Sequence, residues 1–139
     1  MKKSIQNKII EAVKKYYPDC QAIYLFGSGV YKDLNSVNDI DIALLLNYKE
    51  AKKTGSLTFS DLEFDIEQIL SLKVDLINLR QVSIVFQNEI ISQGKQIYVN
   101  DSKETEIFEL MNLSFYQKLN EERKEIIDEI MKSGKAFDI

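Results

Sequence analysis

Apolar positions along the chain follow two rhythms, one close to helical spacing and one of short unbroken runs. Between Ser4 and Tyr17, Ile5, Ile9, Ala12, Val13 and Tyr16 recur at helical intervals with lysines on the other face. Pro18 and Asp19 end this first predicted helix, because the residue before a proline is pushed out of helical geometry. Ala22 to Phe26 is a continuous apolar run bounded by Gly27, the pattern of a buried strand. Gly27 to Asn38 is rich in glycine, serine and asparagine and reads as a structured loop. A second strand is predicted over Ile40 to Leu46, and the polar, lysine-rich stretch Asn47 to Ser56 reads as a flexible loop.

Ser60-Asp61-Leu62-Glu63 has the form of a capping box, and Phe59, Leu62, Ile66, Ile69 and Leu70 follow at helical intervals. Val74 to Leu79 is a third strand. Val82 to Gln93 is a helix, with Gly94 placed where a left-handed residue is wanted, and Ile97 to Val99 is a short fourth strand. From Ser102 to about Lys132 runs one long amphipathic pattern through Ile107, Leu110, Met111, Phe115, Leu119, Ile126 and Ile130; the ordinary reading of such a stripe is core. This alternation predicts an α/β (α+β) fold, a sheet of about four strands flanked by helices, with the direction of neighbouring strands left open. Residues 1–139 are expected to form one domain, with the core over about residues 1–100 and the C-terminal helix over about 102–132.

Composition narrows the chemistry. The 139 residues are 45% apolar and 29% charged, a globular balance, and 18 basic against 22 acidic side chains leave a formal charge of −4. An acidic balance without a basic tract argues against non-specific nucleic-acid binding. There is no histidine and Cys20 is the one cysteine, which excludes histidine-based triads, Cys/His zinc sites and an internal disulfide framework. The N-terminal stretch lacks the apolar core of a signal peptide, and no run approaches the roughly 20 apolar residues that span a bilayer. With the unpaired thiol, these features lead to the expectation of a soluble cytoplasmic protein.

The chemistry then falls to carboxylates and a bound hard cation. Asp39 and Asp41 stand two apart at the head of a strand, so their side chains share one face while Ile40 and Ile42 share the other. Their Cα atoms are expected about 6.6 Å apart, within reach of one Mg²⁺ ion. Asp75 interrupts an apolar strand; if that strand pairs with the one carrying Asp39 and Asp41, three carboxylates meet at one rim, as a two-metal phosphoryl or nucleotidyl transfer site requires. Gly27 lets backbone approach an anion closely, and Ser28 can donate to phosphate oxygens. Each feature also has a plain reading: Gly27-Ser28 as a turn, Asp39 and Asp41 as a solvated strand start, Asp75 as a charged gatekeeper of its apolar neighbours. The tyrosines read as packing or rim residues, and Cys20 as structural.

Taken together, Gly27-Ser28, ten further residues, Asp39-Ile40-Asp41 and the later Asp75 resemble the signature of the DNA polymerase β-like nucleotidyltransferase superfamily. The ten-residue gap and short chain look most like the minimal nucleotidyltransferases, the antitoxin halves of HEPN/MNT toxin–antitoxin pairs. The similarity runs from about Ala22 through Val99. It implies a mixed sheet with helices packed on it, ATP as substrate, Mg²⁺ in a two-ion site, and a HEPN-family toxin as partner. The implied activity is transfer of AMP to a tyrosine hydroxyl of that toxin, with release of diphosphate.

By the same resemblance Asp39, Asp41 and Asp75 are the metal-binding and catalytic acids, and Gly27 and Ser28 hold the nucleotide phosphates. Many relatives carry a basic residue soon after Gly-Ser; here the first cation is Lys32, and Lys32 or Arg80 is a candidate to replace it. Two alternatives stand beside this reading: an antitoxin that acts by binding alone, and a small-molecule nucleotidyltransferase.

Overall fold

The computed structural model describes residues 3–27 and 39–133. In chain order these form α1 (Lys3–Tyr16), β1 (Ala22–Phe26), β2 (Asp39–Leu45), α2 (Tyr48–Thr54), α3 (Asp61–Leu70) and β3 (Lys73–Asn78). A 3₁₀ turn over Leu79–Gln81, α4 (Ile84–Gln93), β4 (Lys95–Val99) and α5 (Ser102–Ser133) follow. The loop predicted between Gly27 and Asn38 lies outside the described residues after its first position.

The four strands make one mixed sheet in the order β3-β2-β1-β4. β1 is antiparallel to both β2 and β4, whereas β2 and β3 run parallel. A parallel pair needs a long crossover, and residues 46–72 supply it with α2 and α3. On one face Ile9 and Val13 of α1 and Leu62 and Ile66 of α3 pack on Ile23, Leu25, Ile40, Ile42, Leu44, Val74 and Leu76. The other face buries Ala22, Tyr24, Ala43 and Leu45 under Ile90 of α4 and Phe108 of α5. Period-two alternation in β2 therefore sends its isoleucines to the first face, and leaves Asp39 and Asp41 on the side of α4 and α5.

Three local expectations change. The stretch read as a flexible loop is the helix α2. Asn47 caps it by accepting from the Glu50 amide at 2.8 Å, Ala51 is its one buried residue, and Gly55 closes it at φ +65°. One buried alanine leaves almost no apolar periodicity, so the cap was the only available signal. Gly94 ends α4 as predicted, but at φ −80°, not left-handed. Its missing side chain matters sterically, since a Cβ there would lie 2.4 Å from the Ile90 carbonyl and 2.9 Å from that of Leu25. The third change concerns α5. Only Thr105, Phe108 and Asn112 of this helix are buried, while Leu110 is 66%, Ile126 58% and Met131 65% exposed, so most of the stripe is not core.

The capping box at α3 forms in a modified way. Ser60 Oγ accepts from the Glu63 amide, and Glu63 Oε1 accepts from the Phe59 amide at 3.1 Å, one residue before the position a capping box uses. Its second oxygen, Oε2, accepts from the Leu76 amide at 3.1 Å, and one turn later Glu67 Oε2 accepts from Val74 at 3.0 Å. These two glutamates satisfy outward amides of the edge strand β3 on both sides of Asp75. Buried Glu63 uses both carboxylate oxygens as acceptors, so in Glu63→Gln one of them becomes an amide nitrogen facing an N–H. This substitution is expected to destabilise the fold by about 1–3 kcal/mol. Glu67→Gln can turn its remaining oxygen toward Val74 and is expected to change stability by less than about 0.5 kcal/mol, both read from urea unfolding midpoints.

Candidate active site

The sheet brings the sequence-predicted acids to one rim. In the parallel β2–β3 register Asp41 stands directly beside Asp75, and Asp39 beside Lys73. Ordinary strand spacing puts the Asp41 and Asp75 Cα atoms about 4.8 Å apart. Asp39 and Asp75 are exposed and Asp41 is half-buried. The third neighbour is β1, whose last residue Phe26 pairs with Asp41, so that Gly27 follows where the strand leaves the sheet. Phe26 is held there by an edge-on contact with Phe86 of α4, ring centroids 5.7 Å apart.

Gly27 is fixed by two constraints. Its φ of +80° is a conformation that side chains disfavour, and a Cβ on it would lie 2.1 Å from Asp41 Oδ2. The backbone of the β1 exit and the Asp41 carboxylate therefore occupy one small volume, possible only with no side chain between them. Ser28 lies outside the described residues, as does Lys32.

Electrostatics mark Asp41 as the strained member. Partial burial, then the Asp75 carboxylate and then that of Asp39 raise its pKa above the ordinary value of 3.8. Among the described residues, no three histidine, cysteine, aspartate or glutamate groups converge closely enough to enclose one ion alone. The donor set is nevertheless all carboxylate oxygen, the chemistry of a hard divalent cation that keeps several ligand positions for water and substrate phosphates.

Other candidates are placed elsewhere. Arg80 donates through Nε to the Leu46 carbonyl and through Nη2 to Gln21 Oε1 at 2.7 Å, and its guanidinium lies 5.1 Å from the centre of the Phe108 ring. Leu46 is seven positions along from Asp39, roughly 23 Å at strand rise, so Arg80 stands at the opposite end of the sheet from the acids. A cleft of about 330 Å³ that Arg80 lines with Tyr48, Phe108 and Met111 belongs to that end too. Cys20 is buried, with its thiol pushed up to about 12 by burial, in keeping with a structural role. Tyr24 is buried in the sheet, donates to Glu109 Oε1 at 2.6 Å and accepts from Gln96 Nε2 at 3.2 Å. Burial and that glutamate raise its pKa, so it stays a neutral tie between β1 and α5. Glu63 and Glu67, which steady the strand of Asp75, were not singled out from sequence; the capping box exposed only the local half of Glu63's role.

Because Asp41 titrates above its unfolded value, its contribution to stability is full at low pH and is lost as pH rises through the folded pKa. In metal-free protein, Asp75→Asn removes one cause of the shift. The Asp41 pKa is expected to fall and stability near neutral pH to rise, measured by NMR titration of the carboxyl carbon and by thermal unfolding.

Three comparisons bear on this arrangement. The sequence profile described as polymerase beta, nucleotidyltransferase matches residues 7–103. The chain is 34% identical over 131 residues to the protein adenylyltransferase MntA of Shewanella oneidensis, a match covering 94% of this chain and 91% of that protein. It resembles the solved complex of a tri-AMPylated Shewanella oneidensis HEPN toxin with its MNT antitoxin, at TM-score 0.67 and 33% identity over 94% of this chain and 99% of that one. A toxin–antitoxin structure with AMP-PNP is similar at TM-score 0.65 and 34% identity, covering 91% of this chain and 98% of that one. With the profile matching most of its length and a relative 34% identical across nearly all of it, the chain belongs to the polymerase beta nucleotidyltransferase family.

Proposed function

We propose that this chain is an antitoxin that transfers AMP from ATP to a tyrosine hydroxyl of a HEPN-family toxin, forming AMP-protein and diphosphate. The observation that carries the reading is the register that sets Asp41 beside Asp75, next to a turn where only glycine fits against Asp41. The adenylyltransferase name of the Shewanella relative and the AMPylated toxin in the solved complex support the substrate and partner. The buried, unpaired Cys20 supports a reducing, cytoplasmic setting.

In this reading Asp39, Asp41 and Asp75 would hold Mg²⁺ in a two-ion site. Bound there, the metal would neutralise the triphosphate and favour departure of diphosphate. The Gly27 backbone and Ser28 position the phosphates. A tyrosine hydroxyl ionises near pH 10, so it needs a base at neutral pH. Asp75, exposed at the rim, accepts that proton as the oxygen attacks the α-phosphorus. The P–O bond to diphosphate breaks as the new one forms, and alignment of the two oxygens supplies much of the rate.

A second reading, neutralisation by contact alone, is favoured by the apolar side chains exposed along α5. Incubation with Mg²⁺, α-labelled ATP and the HEPN-family partner separates the two. The transferase reading expects label on the partner that disappears with Asp39→Ala or Asp41→Ala, and none with wild-type chain would refute it. Asp75→Ala is expected to keep the native circular dichroism spectrum and lose about 10²–10⁴-fold in transfer rate. Full activity in that variant would remove Asp75 from the site.

A further inference from the structure

The parallel β2–β3 register that sets Asp75 beside Asp41 also sets Lys73 beside Asp39. Val74 and Leu76 pack under α1 and α3, whereas Ile77 lies with Ala43 and Leu45 on the face of α4 and α5. Alternation along β3 therefore puts Lys73 and Asp75 on the face that carries Asp39 and Asp41. Ordinary strand spacing leaves the Lys73 and Asp39 Cα atoms about 4.8 Å apart. Each is the first residue of its strand, so this pair stands outermost at the rim. Lys73 is exposed, and among the described residues its ammonium has no hydrogen-bond or ion-pair partner. It is an uncommitted charge on a flexible four-carbon stem, next to the acids.

The other cations of this region are placed differently. Lys95 of β4 pairs with Leu25, which is buried on the face of α1 and α3, so Lys95 is turned away from the acids. Arg80 is at the far end of the sheet, engaged by the Leu46 carbonyl and Gln21. Among the described strand residues, Lys73 is thus the one cation that shares the acids' face. Gly29-Val30-Tyr31, just after Gly27-Ser28, carry no charge. Across the rim the strands run β3, β2, β1, so Lys73 flanks the acids on one side and the Gly27 turn flanks them on the other. A phosphate chain seated over the acids lies between the two, and a lysine ammonium is a point charge suited to phosphate oxygens.

We propose that Lys73 is a nucleotide-binding residue whose ammonium holds the phosphate chain of ATP from the β3 side of the rim, supplying the charge absent just after Gly27-Ser28. This rests on the transferase reading for its ligand and adds a residue to that site. The test uses Lys73→Ala, Lys73→Arg and, as a control for net charge, Lys95→Ala, each checked for native fold by circular dichroism. Calorimetry measures Kd for Mg²⁺ alone and for ATP at saturating Mg²⁺. The Kd for ATP is expected to rise at least tenfold in Lys73→Ala, and to stay within about threefold of wild type in Lys73→Arg and twofold in Lys95→Ala. Mg²⁺ alone is expected to bind Lys73→Ala at least as tightly as wild type, because a positive charge has left the side of Asp39. An ATP Kd within twofold of wild type in Lys73→Ala would overturn the proposal. So would parallel weakening of Mg²⁺ and ATP, which would make Lys73 a support of the rim, or an equal loss in Lys95→Ala, which would leave only net charge. A wild-type chain that binds no ATP would overturn this proposal and the transferase reading together. Absence of label on the HEPN-family partner, with ATP bound, would sink transfer alone, since the Kd series still decides Lys73.

Discussion

Asp41 is asked to ionise beside two other carboxylates while partly withdrawn from water, and the structure around it is arranged to hold that repulsion in place. Like charges in adjacent strands would ordinarily push a sheet edge apart. Here the β2–β3 pair is anchored on one face by Ile40, Ile42, Val74 and Leu76, all buried under α1 and α3, and at its outer edge by the two glutamates of α3. The apolar core thus supplies the rigidity that keeps three carboxylates close, as the proposed cation and triphosphate site requires. The rim thus gives up stability to keep its carboxylates together, a pattern expected where charge is preorganised for a ligand.

Much of this was legible in the sequence because it rests on short-range signals. β1 begins and ends where the apolar run and Gly27 place it, and β2 and β3 lie within a residue of their predicted bounds. The acids could be grouped because strand periodicity fixes the side on which Asp39 and Asp41 emerge. Strand direction was not legible, since it depends on how the crossover packs. The second role of Glu63 was hidden for the same reason: its partner Leu76 is thirteen residues away, and no local pattern announces a side chain that caps a helix and a sheet edge together.

α5 shows the other limit of pattern reading. A stripe at helical spacing records that something apolar covers it, not whether the cover belongs to the same chain. The first third of the helix meets α4 and the sheet through Phe108 and Asn112, and the remainder carries the same periodicity into solvent. The length of a helix compared with the element beneath it decides how much of such a stripe is core, and that comparison requires the fold.

The hold of α3 on β3 has a further consequence. An edge strand presents free amides on which another chain can add a strand, and β3 is such an edge, carrying the apolar sequence Val74, Leu76 and Ile77 around its single acid. Glu63 and Glu67 occupy two of those amides from within the chain. Loss of the α3 cap would therefore do more than misplace Asp75. It would uncover a template for strand addition, so that damage at the start of one helix is felt first as self-association, before the acidic rim itself has unfolded.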